Sequence, residues 1–304
     1  MASADVASAG TSPRRFTVSP FIAGALGGAV GITCTCPLEV VKTRAQSAHA
    51  DRSMGMWRSF QSIVAREGVT GMWRGLGPNL LGVVPARSIY FGCYTFLKER
   101  LAPVLPGNLP AFASAAMSGC VVASTTSPIW MIKTRIQLQT GFNRHAVAGA
   151  PGVEGYTGYR DAVARIYAEE GLLGFYKGVS ASYWGVSEGA IQFAAYDMLK
   201  RQLREAKGQE LTKPELFGAA AVAKLFASAT TYPLEVVRTR LREQRDPMWS
   251  TTAKYRGVLH ALRRIGREEG TRGLYGGLVP HLMRVVPNAA IMFLVVESLV
   301  DDKL

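Results

Sequence analysis

The sequence predicts an all-α membrane protein of six transmembrane helices in three tandem two-helix repeats, and three observations carry that prediction. Its 304 residues include 35 Lys+Arg and 22 Asp+Glu, a formal charge of +13, yet only 19% are charged and 48% are hydrophobic. The charges sit in short blocks between long uncharged stretches, the longest being Leu101 to Ile132 without one Asp, Glu, Lys or Arg. A Pro-containing signature recurs three times. This composition excludes disorder as the main state. It also argues against a soluble nucleic-acid binder, which would be charge-rich and would gather its basic residues into one stripe.

Taken in order, the low-charge segments run roughly 20–41, 75–97, 101–132, 178–196, 214–237 and 273–296. Each is long enough to cross about 30 Å of hydrocarbon as a helix. Gly, Ala, Ser and Pro are frequent inside them, which suits close helix packing in lipid. Residues 1–17, rich in Ser, Ala and Thr and lacking a continuous apolar core, read as a disordered tail. Cys34, Cys36, Cys93 and Cys120 show no paired spacing and read as small apolar filler. No metal constellation, catalytic nucleophile or phosphate-binding Gly loop is present, and His49, His145, His260 and His281 are scattered, so no enzyme or cofactor is expected.

The repeats define the units. Pro37-Leu-Glu-Val-Val-Lys-Thr-Arg44 returns as Pro128-Ile-Trp-Met-Ile-Lys-Thr-Arg135 and as Pro233-Leu-Glu-Val-Val-Arg-Thr-Arg240. Gly55, Gly158 and Gly257 are each followed thirteen residues later by Gly68, Gly171 and Gly270, every one after a Glu. Seven residues further stand Gly75, Gly178 and Gly277. Each unit is thus an apolar span ending in the signature, a polar connection holding a short amphipathic helix such as Tyr255 to Glu269, and a second apolar span. The unit boundaries are placed at 18–104, 105–207 and 208–304.

The tripled signature, in register over about residues 18 to 300, resembles the mitochondrial carrier family. The resemblance implies a six-helix bundle with threefold pseudo-symmetry in the inner mitochondrial membrane, short matrix helices, and metabolite exchange through a central cavity. Three copies in a ring bring corresponding residues to one level, where an acid and a base from each signature can close one end. Pro kinks draw the odd helices inward there. The acids are Glu39 and Glu235 and the bases Lys42, Lys133 and Arg238, with Trp130 in place of the middle acid. The register implied by the family pairs Glu39 with Lys133 and Glu235 with Lys42, which leaves Arg238 opposite Trp130 for a cation–π contact. A second gate on the cytoplasmic side would pair Lys98 with Asp197 and Lys200 with Glu297, an eroded version of the family pattern. Two gates that cannot both be intact suit alternating access.

A substrate without threefold symmetry must be read where the repeats differ. Charges inside the spans are costly, and Arg87, Glu188, Lys224 and Arg284 lie well inside. Lys224 matches Gly28 and Gly119, so a small-xxx-small position (Gly24/Gly28, Ala115/Gly119, Ala220/Lys224) has become an ammonium in one copy. Arg284 matches Gly82 and Gly185. The family reads substrate at this level, here Gly82, the Gly185-Val186 pair and Arg284, with Trp184 the alternative if the fourth-helix register slides by one. Arg suits phosphate through its fork, the two glycines leave room for a flat ring, and Asn79, Tyr183 and His281 sit near enough in sequence to hydrogen-bond a base or sugar. Glu188 replaces the kink residues Pro85 and Pro287 and could bind an exocyclic amine or pair with Arg87 or Lys224.

The Ile-Trp signature resembles the branch handling nucleotides and nucleotide-like cofactors. Arg74-Gly-Leu-Gly-Pro-Asn-Leu-Leu-Gly-Val-Val-Pro85 and Ser180-Ala-Ser-Tyr-Trp-Gly-Val-Ser-Glu188 resemble its pyrimidine nucleotide carriers. The implied activity is exchange of pyrimidine nucleoside di- and triphosphates, with NAD, FAD or folate transport as the alternative in the same branch and a non-transporting scaffold or uncoupling protein as the alternative outside it. Membrane lipids, cardiolipin among them, are the implied partners, nucleic acid is not, and a closed ring of three units suggests a monomer. The signature-side connections carry a net positive charge, which the positive-inside trend places in the matrix.

Overall fold

The structure, a computed structural model, describes residues 20–51, 55–107, 109–139, 155–209, 211–246 and 252–299. The expected tail, residues 1–17, lies outside them. Most described residues are helical: α1 (Pro20–Gln46), α2 (Met56–Glu67), α3 (Leu76–Leu101), α4 (Leu109–Leu138), α5 (Tyr159–Gly174), α6 (Val179–Gly185), α7 (Ser187–Lys207), α8 (Lys213–Glu243), α9 (Val258–Glu268), α10 (Gly270–Leu274) and α11 (Leu278–Leu299). The shortest unbroken long helix outside the fourth, α11 with 22 residues, rises about 33 Å, enough for a hydrocarbon layer. Among the described residues, 69–101 and Leu109–Leu138 also reach a mean hydropathy of 1.3 over a spanning window. The other long helices are less uniformly apolar; α8 alone carries Lys224, Glu235, Arg238, Arg240 and Arg242.

The long helices form a ring. α3 packs on α4, α7 on α8, and α11 returns to α1, so the first and last helices are neighbours. Between each pair, the short helices α2, α5 and α9 seal the signature end with apolar faces. Ile63 and Met72 join Cys36, Val40 and Val41; Ala162 and Ile166 join Ile136; Ala261 and Ile265 join Val236, Val237 and Leu241. Among the described residues the cysteines are unpaired, and Cys36 is packing material.

A cyclic set of polar contacts explains the repeat markers. The last signature Arg of each unit donates Nε–H to the carbonyl ending the odd helix of the next unit: Arg44 to Gln137 at 3.1 Å, Arg135 to Arg242 at 2.9 Å and Arg240 to Gln46 at 2.7 Å. Helix C-termini leave carbonyls unpaired and favour cations, so each Arg serves its neighbour. Each is held by the Glu before the second marker Gly: Arg44 by Glu67, Arg135 by Glu170 and Arg240 by Glu269. Arg74 also reaches Glu67 at 2.6 Å and Lys177 reaches Glu170 at 2.5 Å. Burial pushes the Lys177 ammonium below the usual lysine range against the pull of Glu170.

Gly75, Gly178 and Gly277 start the even helices with φ of +80°, +81° and +82°. A Cβ there would stand 2.8 Å from Gln137, 3.1 Å from the Arg238 carbonyl and 2.8 Å from the Lys42 carbonyl, again one unit ahead. Both backbone and space require glycine.

The fourth span is interrupted although it lacks the proline of its counterparts. α6 and α7 meet at Val186, where i→i+3 bonds (Val186 N–H to Tyr183 and Gly189 N–H to Val186, both 3.2 Å) interrupt the α-pattern. Glu188 therefore stands one residue into the helix that follows the interruption.

Candidate functional site

The ring encloses a cavity of about 700 Å³, whose lining includes Lys42, Lys133, Lys224, Arg238, Arg242 and Arg284 against Glu39, Glu188 and Glu235. Six cations face three acids, leaving an excess of three positive charges. The surplus comes from α8 and α11, which hold four of the six cations.

At the signature end the walls converge. Lys133 Nζ donates to Glu39 Oε1 at 2.5 Å and Lys42 Nζ to Glu235 Oε2 at 2.8 Å. Asn79 bridges the first pair: its amide N–H donates to Glu39 Oε2 at 2.9 Å while its carbonyl accepts from Lys133 at 3.0 Å. Arg284 lies 3.9 Å from Glu39 Oε1. Glu39, Lys42 and Lys133 are all buried, so the cavity is shut here. Partnered burial is the condition for keeping such charges in a low-dielectric site.

The expected Arg238–Trp130 contact is not what the structure contains. Lys133 Nζ lies 4.9 Å from the Trp130 ring centre, and Arg238 turns to Glu235 one turn back on its own helix. Lys133 can serve Glu39 and the indole face together. Glu235 is the nearest carboxylate for a guanidinium with no acid across from it.

Trp130 also alters the expected flat-ring space. Its ring atoms would lie 3.3 Å from a Cβ on Gly82, with Ile129 at 3.0 Å. Gly82 is buried under α4 and the open glycine face belongs to Gly185, where a Cβ would meet nothing within 4 Å. Gly185 and Val186 line the cavity; Trp184 does not and is 56% exposed. Asn79, expected to face a base, is committed to the Glu39–Lys133 pair. Tyr183 is half-exposed, its hydroxyl 2.6 Å from Ser124 Oγ. His281 lines the cavity beside Tyr232, with ring centres 5.4 Å apart and a buried Nδ1 that lacks a partner.

Higher in the cavity, Glu188 Oε1 accepts from Lys224 Nζ at 2.8 Å and from Ser228 Oγ at 2.7 Å. Of the two partners open to Glu188, Lys224 holds it. Arg87 is exposed and lies outside the cavity lining. The small-residue positions also divide. A Cβ on Gly119 would stand 3.0 Å from Val186, a genuine close approach, whereas Gly28 meets nothing within 4 Å. On α1 the close approach is at Gly31, 3.2 Å from the Asn288 carbonyl, and Gly24 lies outside the described side chains.

Of the pairs expected at the opposite end, Lys98 with Asp197 is not formed. Asp197 bonds Arg201 on its own helix at 3.0 Å, and Lys98 lies 5.7 Å from the Tyr94 ring centre. With the signature end closed, Asp197 and Lys98 are satisfied by neighbours on their own helices. Lys200 is half-buried, and the side chain of Glu297 lies outside those described.

Sequence reasoning passed over the layer below the signature pairs. Nine residues after each signature Pro stand Gln46, Gln137 and Arg242. Thr239 donates to Gln46 Oε1 at 2.7 Å, Thr43 donates to Gln137 Oε1 at 3.0 Å, and the Gln46 amide donates to Tyr232 at 3.0 Å. Extending the repeat alignment by two residues would have revealed them.

Three helix pairs ringed about a cationic cavity, closed at one end by ion pairs, define a membrane solute carrier. The family described as "Mitochondrial carrier protein" matches the chain three times, over residues 13–104, 106–207 and 209–301. The chain belongs to that family and is a mitochondrial membrane protein. It is 39% identical to "Solute carrier family 25 member 36" of Mus musculus over 94% of this chain and 98% of that one. To "Solute carrier family 25 member 33" of Homo sapiens it is 36% identical, over 96% and 97%. To the "Mitochondrial pyrimidine nucleotide transporter RIM2" of Saccharomyces cerevisiae it is 36% identical, over 91% and 84%.

Proposed function

We propose that the chain is a six-span, multi-pass carrier of the inner mitochondrial membrane that exchanges pyrimidine nucleoside di- and triphosphates and catalyses no covalent chemistry. The observation that carries this reading is the closed cavity with its positive excess, fitted to a polyanion, in a chain similar at nearly full length to a yeast protein named for pyrimidine nucleotide transport. Lys224 and Arg284 supply cations for phosphate, the Gly185–Val186 face accommodates the base, and Glu188 holds Lys224 until substrate arrives. Glu39–Lys133 and Glu235–Lys42 act as the matrix gate, with Arg238 and Trp130 at its third corner. Lys98, Asp197, Lys200 and Glu297 change partners to form the cytoplasmic gate when the matrix gate opens. Cardiolipin is the lipid partner and the monomer is the working unit.

Proteoliposomes loaded with UTP test this. Uptake of labelled UTP, CTP or TTP is expected; uptake of NAD or FAD without any of these would reject the reading.

A further inference from the structure

Three signatures in one register call for three acids, and the chain has two. Glu39 meets Lys133 and Glu235 meets Lys42. The same step around the ring sets position 130 against Arg238, and Trp130 there has turned its ring onto Gly82. Arg238 shares Glu235 with Lys42. One turn on, Arg242 stands where the other units carry Gln46 and Gln137. It is 8% exposed, its Nε has no hydrogen-bond partner, and its Nη1 reaches Thr134 Oγ1 only at 3.5 Å. Among the described residues no acid forms an ion pair with it. Two guanidiniums one turn apart on a helix repel, and a buried cation without a counter-charge is costly. Arg238, Arg242 and Thr134 all face the cavity.

We propose that this corner, between α4 and α8, is a subsite for the terminal phosphate of a nucleoside di- or triphosphate, which takes the place of the missing third carboxylate. Arg238 and Arg242 donate to the phosphate oxygens, and Thr134, whose hydroxyl donates to the Trp130 carbonyl at 2.7 Å, turns its proton to the phosphate. Guanidinium forks match phosphate geometry. The subsite is distinct from Lys224, which precedes Arg238 by fourteen residues, about 21 Å of helical rise; one triphosphate cannot span both, so Lys224 meets the phosphates on entry and the subsite holds the last of them once the nucleotide has descended. The substrate thereby becomes part of the gate: its last phosphate bridges α4 and α8 in the closed conformation and loses one wall of its site when the helices part. This rests on the nucleotide-exchange reading and adds selection by phosphate number.

The test compares UMP, UDP and UTP in proteoliposomes carrying the wild type, Arg242→Gln, which restores the residue of the other units, and Arg242→Lys, which keeps charge without the fork. The wild type is expected to prefer UTP to UMP by half-saturation. Arg242→Gln is expected to cut that preference about tenfold, the scale of one charged hydrogen bond, with Arg242→Lys in between. An unchanged preference in Arg242→Gln overturns the proposal whatever the absolute rates. Where Arg242→Gln does not fold, Thr134→Val gives the same comparison, and an unchanged preference there overturns it equally. If the wild type takes up no uridine nucleotide, the exchange reading fails separately. Inorganic pyrophosphate then decides the subsite: it is expected to raise the unfolding temperature of the wild type and not of Arg242→Gln, and equal shifts overturn it.

Discussion

At the scale of single residues, the Glu188–Lys224 pair is the clearest departure from threefold repetition inside the cavity. Its two members act in opposite senses on an incoming anion. Lys224 supplies attraction and Glu188 competes for the same ammonium at 2.8 Å. Lys224→Gln is therefore expected to raise the half-saturation constant for UTP by about 10- to 100-fold, the cost of removing one partner of a charged hydrogen bond. Glu188→Gln is expected to lower it, because Lys224 is then released to the substrate. Half-saturation measured in exchange assays checks both signs, and a rise in both variants would show that the pair serves only folding. Sequence position was enough to single out these residues, since a charge replaces Gly in one and Pro in the other. Their contact was not legible: the turn of α7 that meets Lys224 on α8, and the rotamer that brings Glu188 to both Lys224 and Ser228, are fixed by packing and not by spacing.

At the scale of elements, the short helices act as clamps, each bringing a Glu in or just past its C-terminal part to a signature Arg. Glu170 on α5 faces Arg135 and Lys177, and all three side chains are nearly buried. Its neighbour Glu169 meets Arg165 and Arg245 at the surface, with 39% of its side chain exposed. Glu170→Gln is expected to destabilise the protein by about 3–5 kcal/mol, leaving two buried cations without their carboxylate, whereas Glu169→Gln is expected to cost about 1 kcal/mol or less. Thermal unfolding of the two variants side by side checks the contrast. The signature register was visible in the sequence because a residue repeated three times in phase meets its counterparts on a ring. The third corner was not, because there the outcome turns on reach: Lys133 extends to both Glu39 and the Trp130 face, so Arg238 falls back on Glu235. Asn79 was misread for a similar reason. Its spacing placed it near the contact level, and only the packing of α3 against α4 shows its amide filling the gap between Glu39 and Lys133.

At the scale of the whole molecule, the +13 charge of the chain reduces to an excess of three inside the cavity, with the remainder spread over helix ends and connections. A charged funnel attracts a polyanion from a distance, and salt screens that attraction. Uptake at nucleotide concentrations well below half-saturation is expected to fall several-fold from low to physiological ionic strength, with little change in the saturated rate; initial rates across a salt series check this. The ring also makes chain order secondary to cyclic order. Each signature Arg grips the unit ahead, the third grips the first, and α11 lies against α1. A circularly permuted chain, with its ends joined by a flexible linker and opened between the first and second units, retains every one of those grips and is expected to assemble into the same ring.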